Sequence, residues 1–172
     1  MERNKQPKWE SKVSTTLTHA SAGQIWPLFN DFFNLLKWFP NLPTCYGIHG
    51  TNGEVGCIRY CSGFELPSED GVNSISWSTE RLIATDPIDR IIAYEIVDSN
   101  TGFKSYVSKV KIVPEGDDGQ DLGCVIEWSF SVEPVEGWVL EDLVKKYEYG
   151  LQGMAKKMED AIRCTEQGQG EE

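Results

Sequence analysis

Hydrophobic and polar positions alternate along most of this chain with a period of two. That pattern is interrupted once after the first strand and gives way near the end to a period of 3.6. Between Trp9 and Thr18, the residues Trp9, Ser11, Val13, Thr15 and Leu17 share one side, which predicts a first strand with a mixed face. Ser21 followed by Gln24 has the spacing of a capping box. Behind it Ile25, Trp26, Leu28, Phe29, Phe32, Phe33, Leu35 and Leu36 supply a helical apolar stripe. A mid-helix proline costs about 3 kcal/mol, so Pro27 predicts two short helices or a kink, ending before Phe39-Pro40. From Thr44 onward short alternating runs follow one another. Turn chemistry separates them at Thr51-Asn52-Gly53, Ser68-Glu69-Asp70-Gly71, Asp86-Pro87, Ser99-Asn100-Thr101-Gly102 and Glu115-Gly116-Asp117-Asp118-Gly119. This is the pattern of an antiparallel meander. Its clearest strand is Leu122 to Val132, with Leu122, Cys124, Ile126, Trp128, Phe130 and Val132 on one side and Glu127, Ser129 and Ser131 on the other.

After Gly137 the period lengthens. Leu140, Leu143, Val144, Tyr147, Leu151, Met154, Ala155, Met158 and Ile162 fall on one stripe of a helix about 27 residues long, which at 1.5 Å per residue reaches about 40 Å. Such a helix crosses a whole curved sheet. Gly150 and Gly153 interrupt it at about 1 kcal/mol each relative to alanine; they mark a bend, leave room for a group beneath the helix, or are simply tolerated. One strand, two short helices, six strands and a long last helix is the order of an α+β helix-grip fold. In that fold a curved seven-stranded antiparallel sheet wraps the last helix and leaves a cavity between them. The expected domain covers residues 9–164, with a flexible segment over 1–8 and a polar, disordered tail over 165–172.

Composition narrows the class. The 172 residues, 40% hydrophobic and 25% charged, suit one globular domain with one core. A net charge of −11 disfavours nucleic acid and anionic lipid, which attract basic surfaces. No run approaches the roughly 20 apolar residues that span a bilayer, and the first residues carry no apolar signal-peptide core; a soluble, cytoplasmic monomer is the expectation. Five cysteines, at 45, 57, 61, 124 and 164, form no C-x-x-C pair, and only His19 and His49 are available as imidazole ligands. Reduced thiols and no metal site are therefore expected. Cys57 and Cys61 fall on the same side of one strand, roughly 13 Å apart and too far for a bridge.

Two charges stand out inside apolar strand patterns: Arg59 in Gly56-Cys57-Ile58-Arg59-Tyr60, and Glu80 in Ser76-Trp77-Ser78-Thr79-Glu80-Arg81-Leu82. A charge inside a protein is costly unless paired or used, so a cavity holding both is a candidate reaction site. An ordinary cross-strand ion pair, or two side chains in solvent, fits the pattern as well. Around Glu80 the odd positions Ile75, Trp77 and Ile83 read as the core face, which points Glu80 away from it with Ser76, Ser78, Leu82 and Ala84.

The chain resembles the Bet v 1 and START-related superfamily, also described as polyketide cyclase/dehydrase and lipid-transport proteins, over Trp9 to Ile162. Within that group it is similar to the lachrymatory factor synthase family of plants. The closer resemblance is carried by Trp26, Asp31-Phe32, Asn34-Leu35, Val55-Gly56-Cys57-Ile58-Arg59-Tyr60, Glu80-Arg81-Leu82-Ile83-Ala84, Thr101-Gly102-Phe103, Tyr106 and Trp128-Ser129-Phe130. It implies an isomerase that converts an alkenyl sulfenic acid to a thial S-oxide by proton transfer, with no cofactor. The family's catalytic arginine and glutamate fall on Arg59 and Glu80 and a pocket tyrosine on Tyr106. Tyr147, Tyr149 and Gly150 stand where those enzymes place a pocket tryptophan. On this reading Glu80 faces a cavity and relays the proton, Arg59 clamps the substrate oxygen, and Tyr106 donates to that oxygen or orients Glu80. Tyr60, Phe64, Trp77, Trp128 and Tyr147 are the expected substrate-binding aromatics, the partner being a small hydrophobic molecule. A non-catalytic reading of the same fold competes: a binding or transport protein similar to the abscisic acid receptors. Ser62-Gly63-Phe64-Glu65-Leu66-Pro67 partly resembles the receptors' gate loop, whereas their His-Arg-Leu latch has no counterpart in Asn100-Thr101-Gly102-Phe103.

Overall fold

The computed structural model describes residues 7–40, 44–66, 74–116 and 123–168. Strand β1 (Trp9–Leu17) leads into helix α1 (Ala22–Asn30) and a 3-10 helix (Phe32–Trp38). There follow β2 (Thr44–His49), β3 (Ile58–Leu66), β4 (Ser74–Asp86), β5 (Ile91–Ser99), β6 (Val107–Glu115), β7 (Gly123–Val132) and the long helix α2 (Leu140–Gly168). The seven strands form one antiparallel sheet in the order β1-β7-β6-β5-β4-β3-β2, a meander closed at one edge by the first strand. This is the helix-grip architecture that the order of patterns predicts.

Local chemistry sets the element ends. Ser21 Oγ accepts from Gln24 N at 3.1 Å and Gln24 Oε1 accepts from Ser21 N at 3.0 Å, so the capping box forms as read. Pro27 does not break the helix. It sits within α1, and the chain leaves helical geometry four residues later at Asp31 (φ −77°, ψ 66°), where the 3-10 helix begins. Two short helices result, divided at Asp31. At the other end α2 runs to Gly168, past Thr165 where a disordered tail was expected. Gln24 Nε2 donates to Glu166 Oε1 at 2.9 Å and holds the last turns against α1.

The glycines in α2 have a definite cause. A Cβ on Gly150 would lie 2.7 Å from the Phe39 ring, and one on Gly153 would lie 2.2 Å from Cγ of Pro40. The helix thus rests directly on the Phe39-Pro40 corner, and Lys157 Nζ donates to Phe39 O at 2.9 Å to fasten it. The apolar face of α2, with Leu143, Leu151, Met154, Ala155 and Met158 buried, closes one side of the core. Ile92, Val110, Ile112, Ile126, Trp128 and Val132 from the sheet close the other.

Candidate functional site

The face of β4 runs opposite to the hydrophobicity reading. Ser76, Ser78, Glu80 and Leu82 point inward and are buried, while Ile75 is 65% exposed and Ile83 also lies on the outer surface. Strand parity follows the hydrophobic pattern only where the apolar side is the core side. Here the inner side of β4 lines a partly polar cavity, so the rule inverts. Irregularities in the β4–β5 ladder between Thr79 and Glu80 and between Leu82 and Ala84 break the alternation further, leaving Ala84 exposed.

Arg59 on β3 stands directly opposite Glu80 on β4 in the antiparallel register. The guanidinium is fully buried, and Nε and Nη2 both donate to Glu80 Oε1, at 2.9 and 2.7 Å. Its remaining terminal nitrogen, Nη1, donates to Phe32 O at 2.8 Å, and its plane lies over the rings of Phe32 (3.9 Å) and Tyr94 (4.9 Å). Burial is the largest influence and works against the charge, but the Glu80 carboxylate, with smaller contributions from Cys61, Tyr94 and Cys45, outweighs it and holds the Arg59 pKa above its ordinary value. The cation is permanent. Glu80 is served unequally: Oε1 takes both Arg59 bonds and the Cys61 thiol at 3.8 Å, whereas Oε2 takes Ser78 Oγ at 3.1 Å. The arginine therefore positions the carboxylate more than it reaches into the cavity.

Arg59 and Glu80 line a cavity of about 130 Å³ between sheet and helix. Its wall also includes Tyr94 and Ile96 from β5, Phe39 from the corner under α2, Phe103 and Tyr106 ahead of β6, and Trp128 from β7. Leu143, Lys146 and Tyr147 of α2 complete it. The Tyr106 and Tyr147 hydroxyls hydrogen-bond to each other, and Trp128 Nε1 donates to Ser108 Oγ at 2.5 Å. Burial, and then the neighbouring tyrosines, push the pKa values of Tyr94, Tyr106 and Tyr147 well above the ordinary phenol value, so all three remain protonated hydroxyls.

Of the residues singled out by sequence, Arg59, Glu80, Tyr106, Trp128 and Tyr147 meet at this cavity. Tyr60 and Trp77 do not. They stack on each other, centroids 6.5 Å apart, on the outer face of the sheet, and Tyr46 packs against Tyr60 at 5.3 Å. Neighbours of inward residues on a strand point outward, so Arg59 and Tyr60 cannot share a face. The Phe64 side chain lies outside the described residues, as do the turns at 68–71 and 117–119. Sequence reading missed Ser78, Cys61 and Tyr94. For Ser78 and Cys61 the signal was present in the period-two spacing Ser76, Ser78, Glu80 and in Cys57, Arg59, Cys61, had the polar side been taken as the inner one.

Residues 8–159 match the family described as polyketide cyclase / dehydrase and lipid transport. The chain belongs to that family. Among its relatives is the abscisic acid receptor PYL2 of Arabidopsis thaliana, 32% identical over 134 residues, or 77% of this chain and 66% of the receptor. The receptor PYL7 of the same plant is 30% identical over 69% of this chain and 52% of its own length, so the chain spans less than two thirds of either relative. Solved structures share the polyketide cyclase fold at low identity. Ginseng major latex-like protein 151 from Panax ginseng superposes with a TM-score of 0.66 at 17% identity, covering 91% of this chain and 98% of that one. Norcoclaurine synthase from Thalictrum flavum, in complex with dopamine and hydroxybenzaldehyde, superposes with a TM-score of 0.61 at 20% identity, covering 92% and 90%. Among the described residues no helix is long and apolar enough to cross a membrane.

Proposed function

We propose that this chain is a proton-transfer isomerase of the lachrymatory factor synthase type, acting on a small alkenyl sulfenic acid. The observation that carries the reading is the asymmetric dressing of Glu80, a residue of the cavity wall: Oε1 takes both Arg59 bonds and the Cys61 thiol, whereas among the described residues Oε2 takes Ser78 Oγ alone. A carboxylate oxygen accepts about two hydrogen bonds, so Oε2 retains a place for a substrate O–H. The sulfenic proton moves to Oε2 and is returned to the far carbon of the double bond as that bond shifts toward sulfur, giving the thial S-oxide. Atoms and electrons balance within one molecule. Arg59 keeps the carboxylate fixed and its charge compensated through both steps, and the Tyr106–Tyr147 pair, with one hydroxyl hydrogen shared between them, leaves one neutral donor for the substrate oxygen.

Cavity size supports a small substrate. At about 130 Å³ it lies below the ~300–1,000 Å³ of pockets for drug-sized ligands. The test is turnover by purified protein of 1-propenesulfenic acid released in place by a carbon–sulfur lyase, with the thial S-oxide detected in the headspace. Product above the lyase-only control supports the reading, and its absence refutes it.

The kinship with PYL2 favours a second reading, a receptor or carrier for a small hydrophobic ligand. It needs no proton relay. Under it, apolar ligands raise the melting temperature of wild type and Glu80→Gln alike by mass action, and no product forms from the sulfenic acid.

A further inference from the structure

Cys45 on edge strand β2 stands directly opposite Cys61 on β3, and their Sγ atoms lie 3.2 Å apart. Opposed residues of an antiparallel pair have Cα atoms about 4.5–5.5 Å apart, within the range that a disulfide spans. The two thiols are unlike. Cys45 is half-buried on a strand whose other residues are exposed, so a solute reaches it. Cys61 is 3% exposed, lines the cavity and points its thiol at Glu80 Oε1. The hydrogen bond between them lowers the Cys45 pKa, while the same bond, with burial behind it, raises that of Cys61. Either sulfur can donate in that contact, since the single Cys61 hydrogen also meets Glu80 Oε1; Cys45 is the more accessible sulfur and the one whose pKa is lowered, so it is the one that reacts first.

We propose that Cys45 and Cys61 form a redox-active dithiol that reacts with low-molecular-weight disulfides of the oxidised glutathione class and closes a bond between β2 and β3. The Cys45 thiolate attacks one sulfur of the small disulfide, whose S–S bond breaks and releases one thiol, leaving a mixed disulfide on Cys45. Cys61 then attacks the Cys45 sulfur, the mixed bond breaks, and the second small thiol departs with the Cys61 proton. Two protein thiols are oxidised and one small disulfide is reduced to two thiols. Attack begins at Cys45 because Cys61 is sealed from solvent. Closure withdraws the Cys61 hydrogen from Glu80 Oε1 and ties the edge strand to the strand that carries Arg59. The other described cysteines are differently placed: Cys57 and Cys124 are buried, and Cys164 is exposed near the end of α2.

The test is peptide mass mapping of reduced full-length protein after incubation with oxidised glutathione and quenching with an alkylating reagent. A Cys45–Cys61 disulfide as the main product is expected. Cys61→Ser should hold glutathione on Cys45, and Cys45→Ser should leave Cys61 unmodified. Recovery of Cys45 and Cys61 as free thiols, with glutathione confined to Cys164, overturns the proposal, and this wild-type result is decisive without either variant.

Discussion

Arg59 and Glu80 form a buried ion pair with side-chain exposures of 0% and 11%, a geometry in which removing one partner is far worse than removing both. Arg59→Leu leaves a buried carboxylate without its counter-charge, and a loss of about 3–5 kcal/mol is expected in urea unfolding. The double variant Arg59→Met/Glu80→Leu should recover most of that loss, because two apolar side chains of similar volume need no pairing. A double variant as unstable as the single one would show that Arg59 stabilises through its stacking on Phe32 and Tyr94 instead. The tyrosines give a pH dependence. Tyr94, Tyr106 and Tyr147 keep their protons in the folded state above the ordinary value of 10, whereas the unfolded chain releases them near it. The folded state then binds more protons, so stability is fully present below about pH 10 and falls as pH rises beyond it. Melting temperatures from pH 8 to 11.5 should be level and then decline; substituting phenylalanine at all three positions should flatten the decline. That Arg59 and Glu80 are unusual was legible in the sequence, since charges in apolar strands are rare, and the structure shows them buried and paired. Their direction was not, because serines lining a cavity look like serines facing water.

The long helix shows what a pattern of elements conveys and where it stops. Its apolar stripe was readable over nine positions from Leu140 to Ile162, and five of those residues are fully buried against the sheet. The two glycines were visible as an irregularity, but their cause lies more than 100 positions earlier, at Phe39 and Pro40. Helix propensity alone predicts that Gly153→Ala stabilises by about 1 kcal/mol. A Cβ 2.2 Å from the Pro40 ring reverses the sign, and a net loss of about 1–3 kcal/mol is expected by thermal or urea unfolding. Stabilisation would mean that the corner yields freely. Because Phe39 also lines the cavity, the same substitution should weaken substrate binding without touching Glu80. At the other end, the short helices were readable and their dividing point was not. Pro27 was weighed by its intrinsic cost, whereas the chain turns at Asp31, whose carboxylate accepts from Asn34 and Asn52 at 2.9 and 2.6 Å.

At the scale of the molecule, the architecture was legible because each level agreed: alternation gave strands, turn residues gave the meander, and the final 3.6-residue period gave the helix that the sheet wraps. The cavity belongs to the same arrangement: it lies between the sheet and α2, walled by Arg59, Glu80, Tyr94, Tyr106 and Tyr147. Chemistry does not follow from architecture in the same way, and one fold serves receptors and enzymes alike. On the proposed reading, what separates the two is whether a single carboxylate oxygen relays a proton. The decisive measurement is therefore the rate of thial S-oxide formation by wild type and Glu80→Gln, each confirmed folded by circular dichroism. The amide of that variant preserves the shape and most of the hydrogen bonds but cannot carry the proton, so kcat should fall by about 10²-fold or more. Equal rates in the two proteins would contradict the account.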